Sequence, residues 1–234
     1  MSIISEKIGE IQTLYDVHFE SWIAHPRKTV RSAYLQLLGD VKGKYILDAG
    51  CGCGLDCLEL SKKGATGLGI DVSPASIEQS KNLFRNNSSW SFHCCDMMCY
   101  VPEVSFDIVL CSMVVMHHYD IKAFLKQLSS FLKPDGLLLL VTNNPYLVCQ
   151  DFNVEYPQEE SVCYQHHFTD NGNIIQMTKY LHSISSYING GLPELSIAYM
   201  QEITLYTEET KFFNPIVHPG TPNFLSFLYR KHNF

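Results

Sequence analysis

The sequence predicts an α/β fold, a mostly parallel sheet with helices on both faces. Two observations carry this expectation. Between Lys44 and Thr142, short apolar runs at Tyr45–Ala49, Gly67–Asp71, Trp90–His93, Phe106–Cys111 and Leu137–Val141 alternate with helical patterns at Asp56–Lys63, Pro74–Asn86 and Ile121–Leu132. Strands that alternate with helices are joined by crossovers, which a parallel sheet requires. A glycine-rich loop also stands directly after the first of these strands. In such sheets that is the ligand-binding end.

The elements follow in order. Positions 6–40 read as helix in two or three pieces, broken at Pro26, with Val30, Tyr34, Leu37 and Leu38 on one face. The alternating block occupies 44–142. Pro74 near the start of its helix, and Lys133-Pro134-Asp135-Gly136 after another, read as helix punctuation. Positions 143–190, rich in Asn, Gln, His and Tyr, are expected to form a loop plus helices. Leu195–Tyr206 and Phe224–Lys231 read as two strands that form an antiparallel hairpin on the sheet edge. The expected organisation is a single domain: a helical lid at 1–43, a core at 44–142, a cap at 143–194 and closing strands at 195–234.

Composition narrows the function classes. Lys and Arg number 17 against 24 Asp and Glu, a formal net charge of −7, and no basic cluster marks a nucleic-acid surface. No apolar run approaches the roughly 18 residues of a membrane span, and the first ten residues lack a signal-peptide core. Nine cysteines, an odd number with several in apolar runs, fit a reducing cytoplasm better than a disulfide framework. Cys51, Cys53 and Cys57, and Cys94, Cys95 and Cys99, are spaced closely enough to suggest metal ligands. The first three lie in the glycine loop itself, and no metal site is expected.

The strongest motif is Asp48-Ala49-Gly50-Cys51-Gly52-Cys53-Gly54. Glycines allow a tight turn and close approach of backbone to ligand. A dinucleotide loop, G-x-G-x-x-G, would place its third glycine where Leu55 stands. An acidic residue opening the loop suits a cationic amino group better than a phosphate.

On these residues, together with GATGLGIDVSPASIEQSK, CCDMM, FDIVLCSMVVMHHY and LKPDGLLLLV, the chain resembles the class I S-adenosylmethionine (SAM) dependent methyltransferases, in particular the small-molecule branch called type 11. The resemblance covers 44–142. It implies a Rossmann-like sheet of seven strands with an N-terminal helical lid and an insertion after the fifth strand. It implies SAM as cofactor, S-adenosylhomocysteine (SAH) as product, and methyl transfer to O, N or S of a small molecule. The site roles it implies are as follows. Asp48 holds the methionine ammonium. Gly50, Cys51 and Gly52 pass under the methionine and ribose. Asp71, 23 residues past Asp48, accepts from the ribose hydroxyls. Val72 lies on the adenine, while Asp96 and Met97 meet its amino group and ring. The carbonyls of Cys111 and Ser112 face the ammonium, and Tyr15 closes over the methionine.

On the acceptor side His117 is the candidate general base, because a histidine can take a proton near neutral pH. His118, His166 and His167 are further candidates. Asn144-Pro145-Tyr146 resembles an amine-gripping motif but follows the fifth strand instead of the fourth, so it reads as the start of the cap. The cap aromatics Phe152, Tyr156, Tyr164, Phe168, Tyr180 and Tyr187 suit a partly apolar acceptor. The expected state is a cytoplasmic monomer or homodimer without nucleic-acid or membrane partners. Methylation of RNA or protein, and a SAM-binding but non-catalytic partner subunit, stand as alternatives.

Overall fold

The computed structural model describes residues 28–170, 173–204 and 221–233, together with Gly9 and Gln12. Tyr15 and Phe168's side chain lie outside what is described. Helix α1 (Lys28–Leu35) runs into a 3-10 turn, Gln36–Leu38. The alternating core follows: β1 (Tyr45–Ala49), α2 (Leu55–Lys62), β2 (Thr66–Asp71), α3 (Pro74–Leu83), β3 (Trp90–Cys94), β4 (Phe106–Ser112), α4 (Ile121–Ser130) and β5 (Leu132–Asn143). After it come α5 (Pro145–Phe152), the strands β6 (Val162–Asp170) and β7 (Asn173–Leu181), α6 (Ile184–Asn189), β8 (Leu195–Ile203) and β9 (Phe224–Lys231).

Seven strands form one sheet in the order β3-β2-β1-β4-β5-β9-β8. The first five are parallel. β9 inserts antiparallel between β5 and β8, and β8 pairs antiparallel with β9 at the edge. The chain winds outward from β1 through β2 to β3, then returns to start β4 on the other side of β1. This reversal between β1 and β4 leaves a crevice at the strands' carboxyl ends, where open α/β sheets bind ligands.

Alternation along the strands explains how both faces are covered. Ile46, Ile108, Leu110 and Leu139 point to one face, where Val30, Tyr34, Leu60, Ile77 and Phe84 from α1 to α3 and its C-cap pack. Leu47, Val109, Cys111 and Leu138 point to the other, against Phe124, Leu125 and Leu128 of α4 and Tyr187 of α6. In α4 the buried positions Ile121, Phe124, Leu125 and Leu128 follow helical spacing, and Asp120 caps its start by accepting from the Ala123 N–H at 3.0 Å. Each such fully buried aliphatic side chain contributes about 1.5–3 kcal/mol.

Two expectations are corrected. The helix thought to reach Leu132 ends at Ser130, because Leu132 already pairs with Phe106 as the first residue of β5. Lys133-Pro134-Asp135-Gly136 is therefore a bulge within the β5 span, with Asp135 at φ +60° and Lys133 Nζ 2.8 Å from Asp107 Oδ1. Second, 143–190 is not only loop and helix. β6 and β7 form a separate antiparallel hairpin in register from Val162↔Leu181 to Asp170↔Asn173. Its alternation is diluted by polar residues on both faces, Gln165 and His167 on the outer and His166 and Lys179 on the inner. The closing pair β8 and β9 is antiparallel as expected. Among the described residues, no helix is long and apolar enough to cross a membrane.

Candidate active site

The glycine loop is built for close approach on one side and packing on the other. Gly50 has φ +85°, and a Cβ there would lie 2.3 Å from Val114 Cγ2. The turn is therefore pressed against the exit of β4, and its N–H bonds back to Ile70 O at 2.8 Å. Gly52 has φ +52°, but a Cβ on it would meet nothing within 4 Å, so this side of the loop is open. Ser80 Oγ donates to Gly52 O at 2.8 Å and fixes the loop from α3.

Asp71, at the end of β2, is partly exposed and shaped by the backbone around it. Its Oδ2 accepts from Gly52 N at 2.9 Å and its Oδ1 from Ser73 N at 2.9 Å. Ser73, not Asp71, caps α3 by accepting from Ser76 N at 3.1 Å.

Asp48 is 1% exposed. Burial, and then the negative charge of Asp56, push its carboxyl well above the usual range; the Cys57 thiol, donating to Oδ2 at 3.1 Å, and Arg31 offset this only in part. A carboxylate in such a place gains most from a cationic ligand. β4 helps to open the space above it. Pairing with β1 ends at Asp48↔Leu110, so Cys111 and Ser112 run past that ladder into the crevice. The Cys111 thiol is fully buried and pushed well up by burial, which makes it a packing group.

On the β3 side, Val72 is half-buried and Met97 buried, with Met97 Cε near the inner face of Gly50. Asp96 Oδ1 accepts from Met98 N at 2.9 Å. Gln127 Nε2 donates to the carbonyls of Met97 and Tyr100 at 2.9 and 3.0 Å, holding this loop from α4. Asp48, Gly50, Cys51, Gly52, Asp71, Val72, Asp96, Met97 and Cys111 thus all lie on the loops and strand ends that rim one crevice.

Sequence reasoning missed a cluster over the start of α2. Arg31 forms an ion pair with Asp56, and the Tyr34 hydroxyl donates to both Asp56 oxygens at 2.7 Å. Arg31 and Tyr34 are three residues apart, on one face of α1. That spacing was the available signal, but nothing in it named a partner. Asp56 occupies the first turn of α2, the position where a dinucleotide fold presents its helix start to pyrophosphate.

His117 sits in a short 3-10 turn, Val115–His117, just beyond β4. The residue is half-buried, and desolvation followed by the Lys179 charge holds its pKa well below 6.5. The expectation of a group that takes a proton near neutral pH is corrected accordingly: this imidazole is neutral at pH 7 and a weak base. His118 lies against Phe124, ring centroids 4.5 Å apart, and burial lowers it to about 4. His166 is lowered to about 3, again chiefly by burial, and sits 5.0 Å from the Phe152 ring. His167 is exposed on the outer face of the hairpin. Asn144 caps α5 by accepting from Tyr146 N at 3.1 Å and donates to Pro222 O at 2.8 Å, as befits the start of the cap. The described residues bring no three His, Cys, Asp or Glu side chains together as a metal set.

Residues 46–136 match the family model of the methyltransferase domain. The core of the chain is thus similar to a methyltransferase domain. A ubiquinone biosynthesis O-methyltransferase of Bradyrhizobium diazoefficiens is 37% identical over 118 residues, which are 50% of this chain and 45% of that protein. The chain thus spans about half the length of the curated relatives it matches. Among solved structures, a Listeria monocytogenes protein assigned as an S-adenosylmethionine-dependent methyltransferase superposes with a TM-score of 0.69 at 20% identity, over 86% of this chain and 97% of that one. The magnesium protoporphyrin IX methyltransferase of Synechocystis PCC 6803, with bound SAM, gives 0.65 at 16% identity over 97% of both chains. The matched methyltransferase segment ends at Gly136, before the cap begins.

Proposed function

We propose that the protein transfers the methyl group of SAM to an oxygen, nitrogen or sulfur atom of a small molecule. The observation that carries this reading is Asp48: a carboxylate 1% exposed, crowded by Asp56, at the mouth of the glycine loop. It disfavours a pyrophosphate and favours the ammonium of a methionine moiety. In this reading Asp71 binds the ribose hydroxyls, the open side of Gly52 admits the ribose, and Val72, Asp96 and Met97 surround the adenine. Arg31, tied to Asp56 above the loop, stands where it can meet the methionine carboxylate. Tyr15 is proposed to close over the methionine.

When bound, SAM supplies a methyl group made electrophilic by its sulfonium. The residues' contribution is orientation and exclusion of water, which together are worth several kcal/mol, with about 7–11 kcal/mol as the ceiling for well-aligned reactants. The acceptor enters between the Val115–His117 turn, α5 and the hairpin. His117, half-buried and of lowered basicity, orients it. The three other assignments that belong to this reading are a single methyltransferase domain for the whole chain, a monomer or homodimer, and a cytoplasmic location. Nine free cysteines among the described residues support the last.

The test is turnover of SAM to SAH with a pool of small-molecule metabolites, scored by acceptors that gain one methylene unit in mass. Gain on RNA or protein fractions alone would overturn the small-molecule assignment.

A further inference from the structure

The first turn of α2 makes two separate connections. Asp56 meets Arg31 and Tyr34 of α1. Cys57, the next residue, is 0% exposed and shares the buried face of the helix with Leu60, three residues on. Its thiol donates to Asp48 Oδ2 at 3.1 Å. This bond ties the strand before the glycine loop to the helix after it.

Three thiols feel the charge of Asp48, and they are not equivalent. Cys51 of the glycine loop, Cys57 of α2 and Cys111 of β4 are all buried, and burial, followed by Asp48, pushes each well up. Each therefore keeps its proton at neutral pH. Cys51 directs its proton to Gly52 O at 3.5 Å. Cys57 gives its proton to the carboxylate. The remaining groups that act on Asp48 are charges. Asp56 and Asp71 disfavour its ionised form, and Arg31 favours it. Of the two groups that oppose the upward push of burial and Asp56, Cys57 outweighs Arg31. A hydrogen bond to the charged form favours that form, and a carboxylate 1% exposed needs such a donor.

We propose that Cys57 is a positioning residue of the cofactor site: its thiol, donating to Oδ2, fixes the plane of the Asp48 carboxylate and keeps it charged for the ammonium of the cofactor. The inference rests on the methyl-transfer reading above, in which Asp48 takes that ammonium. Fully buried, Cys57 acts through Asp48. A proton on the carboxyl must leave to solvent before the ammonium can bind, so affinity falls as pH drops through the carboxyl's pKa in the free protein. Without the thiol donor this fall begins at higher pH. Above it Asp48 is ionised with or without Cys57, and the affinities converge. A side chain that only fills space would change affinity by the same factor at every pH.

The experiment titrates SAH onto the full chain by calorimetry at intervals from about pH 5 to about pH 9. Each variant is read as its affinity relative to wild type at the same pH, which cancels the ionisation of SAH itself. Cys57→Ala and Cys57→Val, the second keeping the space filled, should bind within about twofold of wild type at the alkaline end and about threefold or more weakly at the acid end, as for a carboxyl raised by about half a pH unit or more. Cys57→Ser keeps a donor and should follow wild type within about twofold throughout. In an Asp48→Asn background, Cys57→Ala should show no such dependence on pH. Cys57→Ala and Cys57→Val chains that track wild type at every pH, or lose affinity by one constant factor, overturn the proposal and leave methyl transfer standing. A pH-dependent loss that persists in the Asp48→Asn background overturns it as well. A wild-type chain that fails to bind SAH overturns the methyl-transfer reading and this inference with it.

Discussion

Gly50→Ala probes the geometry of the cofactor loop most sharply. Two separable costs follow from the structure. At φ +85° an L-residue carries about 1–2 kcal/mol of backbone strain. The new Cβ would also stand 2.3 Å from Val114 Cγ2, and relieving such overpacking costs about 1–3 kcal/mol. The expected loss is about 2–5 kcal/mol, or a fall in Tm of roughly 5–15 °C for a chain of this size. The second cost should vanish when Val114 is shortened. In a Val114→Ala background, Gly50→Ala should therefore cost about 1–3 kcal/mol less, measured by denaturant titration of all four variants as a double-mutant cycle. Gly52→Ala supplies the contrast: with nothing within 4 Å of its Cβ, it should cost only the backbone strain, about 1–2 kcal/mol, yet weaken SAH binding by filling the open side. Additive effects of Gly50→Ala and Val114→Ala would refute the packing half of this reasoning. A Gly50→Ala chain as stable as wild type would refute the loop conformation itself.

Three further outcomes are expected. Asp71→Ala should weaken SAH binding by about 2–3 kcal/mol, the scale of a charge-assisted hydrogen-bond partner, and calorimetry that finds less than threefold change would place Asp71 outside the site. Asp48 has a folded pKa raised above its unfolded value, so the stability linked to it is present below the ordinary carboxyl range and lost as pH rises through the folded pKa; Asp48→Asn should accordingly raise the Tm of the free protein at pH 7 and lower SAH affinity about tenfold or more, and a variant that gains both or loses both would contradict the assignment. His118 and His166 have folded pKa values depressed to about 4 and 3, so the stability linked to them is present above about pH 6.5 and lost as pH falls toward those values; by about pH 5 each should cost roughly 2 kcal/mol, and denaturant titrations that are flat from about pH 7 to 5 would show these rings to be solvated.

The core of the fold was legible because local and tertiary signals agreed there. Tyr45–Ala49, Phe106–Ser112 and Pro74–Leu83 carry apolar runs, a loop glycine set and a Ser73 cap that point to the same elements. The β6–β7 hairpin was not legible, since His166, His167, Gln165 and Lys179 dilute an alternation whose inner face is closed by α5 and the Val115–His117 turn, far away in sequence. Lys133-Pro134-Asp135-Gly136 looked like a helix stop because a bulge and a helix end use the same residues. In the candidate site, Asp48 and Asp71 were proposed from motif position, and the structure sets both at strand ends beside the glycine loop. The Arg31–Asp56–Tyr34 cluster was not so proposed, because it depends on contacts between elements that sequence spacing does not encode. His117 was proposed from its position after β4, and the desolvation that lowers its basicity is a tertiary property that spacing does not encode.

The central claim is that the crevice between β1 and β4 receives a cofactor bearing a cationic amino acid and not a pyrophosphate. Isothermal titration of the full chain with SAH and, separately, with NAD tests it most directly. The account expects SAH to bind with a Kd of about 1–100 μM, near −5.5 to −8 kcal/mol, and NAD to bind at least about a hundredfold more weakly. NAD binding as tight as SAH, or no SAH binding at all, would contradict it.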